Sequence, residues 1–409
     1  MAWIRPFCAL RYDPTHIEDL SRVIAPPYDV IDADEQDRLY RTSPYNIVRL
    51  ILGKRSPSDT PQENSYTRAR RAFDTWCVQG VLRRDAAPAF YIVEHAFVDD
   101  DRQPRRRLGF TALLELEASP EGVILRHEHT LEAPTADRLQ LLDALPANLS
   151  PIFCVYPDAD QAVQPLLRDV ASTDPPDAEA TLNGEALRLW VVTDPHVIDA
   201  MVRRLVPIAV LIADGHHRFE AAYARRTRYG AVMAHFVSMA DPALIVRPIH
   251  RIICGQGPID LGALGQISRL EPAHDSASVM RWLRGVEDQG CFGFYAHGRL
   301  YRVSLHPDEV AHWLLAASAQ LPLATLDVCL LHGVILPHLG FNRAAIRYTT
   351  DPDQAFQEVD RGEGNMAWLL RGIPLTQVYA LAAQGLMLPP KSTSFYPKVP
   401  SGLTLNPFE

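Results

Sequence analysis

Apolar and polar positions along the chain change period repeatedly, and the changes mark out its elements. Short apolar runs at residues 47–52, 89–98, 110–116, 152–156, 187–192, 206–213 and 234–239 have the length of strands. Helical spacing governs 34–40, 195–205, 219–229, 279–286, 353–362 and 376–385, and also 65–80, where Ala69, Ala72, Phe73 and Trp76 share a face and Gly80 ends the run. Leu139, Leu142 and Leu145 mark another helix, and 326–339 reads as a strongly apolar helix closed by Gly340-Phe341-Asn342. Residues 291–296 and 300–305 read as a hairpin across His297-Gly298. Asp99-Asp100-Asp101, followed by Arg105-Arg106-Arg107, is solvated charge at a hairpin tip. Residues 157–183 read as a polar linker, with local disorder expected at 56–64 and 172–178. The pattern predicts an α+β fold with mixed sheets in three parts: an N-terminal α/β unit (1–115), a central unit (116–256) and a C-terminal α+β unit (257–409).

Bulk properties narrow the class. At 409 residues the chain exceeds one ordinary core, and 47% hydrophobic with 22% charged residues describes a globular protein. A net charge of −9 argues against general nucleic-acid affinity, which rests on neutralising phosphates. Six scattered cysteines show no paired spacing, as expected of reduced thiols in the cytoplasm. No apolar run approaches the ~20 residues of a membrane span, and the N-terminus lacks the apolar core of a signal peptide.

Candidate chemistry gathers at Asp214-Gly215-His216-His217-Arg218, between an apolar run and a helical one. Such a strand-to-helix turn suits an anion: helix-start N–H groups are unpaired, the peptide dipoles favour negative charge, and Gly215 permits close approach. His216, His217 and Arg218 add donors, and Asp214 can hold magnesium or orient a histidine. A second cluster, His127-Glu128-His129-Thr130, puts a carboxylate between two histidines, the makings of a general base. Pro26-Pro27 presents Tyr28 and Asp29 on a stiff loop. His250-Arg251 forms another basic pair, and Lys391 and Lys398 lie in a hydroxyl-rich tail, where they can reach a nucleotide phosphate.

The residues Ile4 to Phe7, Ala25 to Val30, Ser43-Pro44-Tyr45-Asn46, His127-Glu128 with Thr130, Asp137-Arg138-Leu139, Ala213 to Arg218, Lys391-Ser392-Thr393 and Pro400 to Leu403 together resemble the bacterial and archaeal domain-of-unknown-function 1015 family. The Asp214 to Arg218 turn is also similar to the phosphate-binding turn of the ParB and sulfiredoxin superfamily, and especially to its free-serine kinases, in which a His-Glu pair precedes the turn. That resemblance implies a ParB/sulfiredoxin-like central unit, with Glu128 as base, and Asp214 and His216 beside it in catalysis. Gly215, His216, His217 and Arg218 would cradle the nucleotide with His250, Arg251, Lys391 and Lys398. Tyr28, Asp29, Asn46, His127, Thr130, Asp137 and Arg138 are the candidate substrate contacts.

The expectation is a kinase-like phosphotransferase that moves a phosphoryl group from ATP or ADP, with Mg2+ on Asp214, to a small hydroxyl compound, free L-serine being favoured. The alternative is a nucleotide-binding regulatory or scaffold protein without net chemistry. A zinc hydrolase built on His127, His129 and His216 or His217 ranks below both. A small-molecule partner is expected, with no membrane and no nucleic acid.

Overall fold

The central strand of the larger sheet, Pro104–Glu115, pairs antiparallel with Phe90–Val98 on one side and Ala231–Ser238 on the other. N-terminal and middle segments thus share one sheet. In this computed structural model, which describes residues 3–116, 122–158, 160–255, 259–317, 321–341 and 345–408, the chain divides into two compact units. The first holds residues 1–126, 130–245 and 397–409; the second holds 127–129 and 246–396. The expected boundary at 115 fails because it would cut the hydrogen bonds between Pro104–Glu115 and Ala231–Ser238. The end of the predicted 326–339 helix at Asn342 lies outside the described residues.

The first unit is built on a mixed sheet, nine-stranded among the described residues. In order across the sheet run Ile124–Leu125, Val210–Asp214, Ile152–Tyr156, Ala231–Ser238, Pro104–Glu115, Phe90–Val98, Glu185–Val192 and Ala178–Leu182, with Ile4–Arg5 paired to Pro104–Glu115 off this path. Two pairings are parallel, Val210–Asp214 with Ile124–Leu125 and Ala231–Ser238 with Ile152–Tyr156. Central strands are buried on both faces, so Ile152–Tyr156 and Ala231–Ser238 read as continuous apolar runs. Phe110 and Phe236 stack at 5.1 Å in this core, and Phe219, on the helix after the central motif, packs into it.

The C-terminal segment is tied into the first unit by backbone pairing. Ala25 and Ser401 exchange N–H···O bonds, Leu10 does the same with Leu405, and Asn406–Pro407 pairs with Ala147–Asn148. Lys398 is held within this segment.

The second unit has an antiparallel sheet, six-stranded among the described residues, in the order Ser268–Ala273, Arg299–Leu305, Cys291–Ala296, Met366–Leu369, His250–Cys254 and Ala345–Thr349. The predicted 291–305 hairpin is present, with His297 and Gly298 both at positive φ in its turn.

Three local expectations need correction. Residues 47–52 contain the helix Val48–Ile51, whose first N–H donates to Asn46 Oδ1 at 2.9 Å; a short, mostly buried run broken only by Arg49 carries no period to separate strand from helix. The supposed linker at 157–183 contains the helix Gln164–Thr173 and the edge strand Ala178–Leu182. That strand turns into Glu185–Val192 through Asn183 and Gly184, both at positive φ, as a tight hairpin requires. The apolar helix expected at 326–339 is broken by a π-helical stretch, Leu331–Ile335, between Asp327–Leu330 and Leu336–His338.

Gly109, in the central strand, marks the tightest packing. A Cβ there would lie 2.5 Å from His235 Nε2 and 2.7 Å from the Phe236 carbonyl oxygen, and a backbone atom of a central strand cannot move aside cheaply. Gly109→Ala is expected to cost about 1–3 kcal/mol by overpacking. Gly285→Ala, at a helical position with open space around it, is expected to leave the urea midpoint unchanged or slightly raised.

Candidate functional site

The strand Val210–Asp214 meets its neighbour Ile152–Tyr156 with a register shift between Ile212 and Asp214. Such a bulge bends the strand end and re-aims the side chain that follows. Asp214 is thereby delivered to the sheet rim at 9% exposure. Gly215 follows at φ 89°, ψ 28°, in the left-handed region, and caps the helix His216–Ala224 without a side-chain hydrogen bond to its first turn. A Cβ at Gly215 would be strained in this backbone and would crowd the Arg218 guanidinium at 2.9 Å.

Asp214 is gripped by two cations of the first unit. Its Oδ1 accepts from Lys398 Nζ, and its Oδ2 accepts from Arg218 Nη2 at 2.9 Å. Arg218 Nη1 also donates to the Pro151 carbonyl, while its buried Nε has no hydrogen-bond partner among the described residues. Burial would raise the Asp214 carboxyl, but the charges of Lys398 and Arg218, with the Lys398 hydrogen bond, hold it down at about 2. Burial in turn works against the Lys398 ammonium, yet Asp214 and Asp29 raise it above its ordinary value.

This pairing decides the fit of a metal. Both carboxylate oxygens of Asp214 face cations, so it is not an open magnesium ligand. Among the described residues no group of three His, Cys, Asp or Glu side chains is placed to hold a metal, which leaves the zinc reading without a ligand set there.

Two other motifs of the first unit meet near this turn. The Arg138 guanidinium lies over the Tyr28 ring at 3.8 Å, and the charges of both Arg138 and Arg218 act on the Tyr28 hydroxyl. Asp137 accepts from Arg138, from Arg55 Nη2 at 2.8 Å and from the Tyr66 hydroxyl at 2.7 Å. Together with Gln36 these five residues line a cavity of about 530 Å³, within the size range of small-molecule sites. Arg55 and Tyr66 were missed from sequence; Arg55 stands in a polar run without apolar periodicity, and Tyr66 reads as one more position in a helix start. Asn46, predicted to touch substrate, is fully buried, with Nδ2 donating to the Arg22 and Ile24 carbonyls. It braces the chain that leads into the Pro26-Pro27-Tyr28-Asp29 loop. The Leu131 N–H donates to His217 Nε2 at 3.1 Å, which requires a neutral ring protonated on Nδ1. Thr130, half-buried, begins the return of the chain to the first unit.

His127 and Glu128 belong to the second unit, where the chain makes a three-residue excursion. His127 is buried, with Nε2 2.9 Å from the Thr393 hydroxyl, and its carbonyl accepts from Leu388 N–H. Glu128 Oε1 accepts from Lys391 N–H at 3.0 Å, and the Lys391 carbonyl accepts from Arg251 Nη2 at 3.0 Å. The Lys391 backbone sits at φ 59°, an uncommon conformation for a side-chain-bearing residue. His250 and Arg251, read from sequence as phosphate contacts, are buried on the strand His250–Cys254 of the second unit. Burial, with the neighbouring charge of Arg251, drives the His250 ring down to about 3, and its Nδ1 accepts from Leu370 N–H. It is a neutral sheet residue, not a cation for phosphate.

The grip on Asp214 makes stability pH-dependent in one direction. A depressed carboxyl contributes in full above its ordinary 3.8, and the contribution is lost as pH falls towards about 2. Urea midpoints measured on the acid side should therefore fall for the native chain, and Asp214→Asn should flatten that part of the loss. Lys398→Met should cost on the order of 2 kcal/mol, less than a fully buried pair because Lys398 keeps contact with water. Combined with Asp214→Asn it should cost less than the two changes summed.

No curated protein matches this chain. Among solved structures, a free serine kinase in complex with AMP is similar at 12% identity and a TM-score of 0.37, over 73% of this chain and 91% of that one. A conserved hypothetical protein from Pyrococcus furiosus is similar at 12% identity and a TM-score of 0.36, over 72% and 95% of the two chains. SbnI with C-terminal truncation from Staphylococcus aureus is similar at 9% identity and a TM-score of 0.38, over 72% and 87%. The described residues include no helix long and apolar enough to cross a membrane. Residues 4–329 match the family described as protein of unknown function (DUF1015), and the chain belongs to that family.

Proposed function

We propose that the chain binds ATP or ADP on the Asp214 to Arg218 turn and transfers a phosphoryl group to a small hydroxyl compound, with free L-serine the favoured acceptor. The observation that carries the reading is a bulged strand leading through a left-handed Gly215 into a helix start that no side chain caps, beside an arginine whose buried Nε has no hydrogen-bond partner among the described residues. Backbone N–H groups and a fixed cation are what a polyphosphate requires. In this reading Asp214 does not bind metal. It orients Arg218 and Lys398, and magnesium arrives with the nucleotide.

The transfer needs little from the protein beyond position, charge neutralisation and a base. Glu128 takes the hydroxyl proton as the hydroxyl oxygen bonds to the terminal phosphorus. The bond from that phosphorus to the bridging oxygen breaks, and its electrons leave with the shortened nucleotide. The assignment of Glu128 rests on the His-Glu pair and its resemblance to the free-serine kinases. Tyr28, Asp137 and Arg138, around the first unit's cavity, are the proposed small-molecule contacts, with Asp29, His127 and Thr130 retained from the motif pattern and Lys391 retained as a nucleotide contact.

Phosphorus NMR on the full chain with magnesium, ATP or ADP and a pool of hydroxyl compounds including serine should show a new phosphomonoester signal. Glu128→Gln should lower transfer by about 10²–10⁴-fold while the nucleotide-dependent rise in melting temperature persists. Loss of both together would remove Glu128 from the role of base. A nucleotide-dependent rise with no new signal for any acceptor would instead favour a sensor that binds without turnover.

A further inference from the structure

The second unit contains a cavity of about 480 Å³ that the phosphotransfer reading does not use. Three arginines line it, Arg251, Arg284 and Arg371, against two carboxylates, Asp327 and Glu287. The charges are not matched one to one. Arg371 is fully engaged: Nε pairs with Asp327 at 2.6 Å, Nη1 donates to the Val286 carbonyl at 2.7 Å, and Nη2 donates to the Asp288 carbonyl at 2.9 Å. Asp327 is thereby neutralised. Arg284 is exposed at the end of the helix Ser276–Gly285 and has no partner among the described residues.

Arg251 is the unusual member. At 1% exposure it is among the largest buried side chains of the protein, yet no carboxylate pairs with it among the described residues. Two of its nitrogens donate to the carbonyls of Ile249 and Lys391, and its Nε has no hydrogen-bond partner among the described residues. Burial draws the guanidinium down to about 10, which still leaves it charged at neutral pH. A buried charge without a counter-charge is costly, and a bound anion would repay it. Next to it the cavity wall is formed by Ile373, Pro374 and Gln377, at the start of the helix Leu375–Ala383, which has no side-chain cap. The positive end of that helix adds to the field of the arginines.

We propose that this cavity is a site for a small oxyanion-bearing metabolite, a carboxylate or a phosphate, held by Arg251 and Arg284 and the first turn of the helix Leu375–Ala383. The volume suits a ligand of metabolite size. Arg371, locked to Asp327 and two carbonyls, shapes the wall and does not need to move. The proposal is independent of nucleotide binding, because every residue it uses lies in the second unit.

The test is calorimetric titration of the nucleotide-free full chain with inorganic phosphate and, separately, with succinate. Saturable binding of either probe is expected, and the probe that binds more tightly identifies the oxyanion as phosphate or carboxylate. Gln377→Glu, which places a carboxylate at the half-buried helix start, should weaken that binding at least tenfold, and Arg284→Ala should weaken it by a smaller factor. Arg284 is exposed and Gln377 half-buried, outside the buried core, so both variants should keep the native melting temperature without ligand. Absence of saturable binding for both probes, or binding unchanged in both variants, would overturn the proposal.

Discussion

The Asp214 carboxylate, held between Lys398 and Arg218, is the contact on which the first unit's motif depends. It joins three stretches distant in sequence. Asp214 ends the strand Val210–Asp214, Arg218 lies one helical turn on and reaches the Pro151 carbonyl before the strand Ile152–Tyr156, and Lys398 belongs to the returning C-terminal segment. Desolvation alone would favour a neutral carboxyl here, and two adjacent cations reverse that preference. The consequence is a turn whose acidic residue is satisfied internally by two cations.

Topology supplies what one contact cannot. Antiparallel pairing of Ala231–Ser238 with Pro104–Glu115, and parallel pairing with Ile152–Tyr156, sets the strands that carry the motif within a sheet whose central members are buried on both faces. Burial on both faces leaves little room for error. Gly109 has no space for a methyl group, and His235 beside it is driven well below its ordinary value by desolvation, with the charge of Arg107 adding to the shift. The Arg107 guanidinium stacks over Phe153 at 4.9 Å and donates to the Pro397 carbonyl at 2.5 Å. That last bond fixes the residue immediately before Lys398, so the core of the sheet helps to position the cation that holds Asp214.

How much of this was legible depends on where the information lies. The helix Pro195–Leu205 and the strand Ile152–Tyr156 were readable to the residue, because local period and flanking signals agree there. The Asp214 to Arg218 turn was readable as strand, turn and helix for the same reason. What sequence could not display was pairing across distance. Lys398 stood out as a basic residue in a polar tail, but its link to Asp214 follows from the Ala25 to Ser401 and Leu10 to Leu405 pairing, which leaves no local trace. Asn46 carried a motif yet serves the backbone, and His250 carried a basic label yet is a neutral buried residue. In both cases the side-chain type suggested chemistry while burial assigned a structural task. The error at 157–183 was different, since the Asn183-Gly184 hairpin signal was present and was outweighed by the polar composition around it.

Arg218 and Arg251 show how the surroundings of a buried guanidinium distinguish its uses. Both have an Nε without a hydrogen-bond partner among the described residues, and both donate to backbone carbonyls. Arg218 has a carboxylate at 2.9 Å, so its charge is balanced before any ligand arrives, and its orientation is fixed by the residue that begins the motif. The helix that follows starts at Gly215 with no side-chain cap. Arg251 has no such carboxylate partner among the described residues, and the charge of Glu128 acts on it. Fixing a cation with a carboxylate gives orientation at the expense of net charge; leaving it unpaired keeps the charge for an anion but costs stability until one binds. The first arrangement suits a cradle that must hold a polyphosphate in one geometry. The second suits a pocket whose occupancy itself alters the stability of the unit around it.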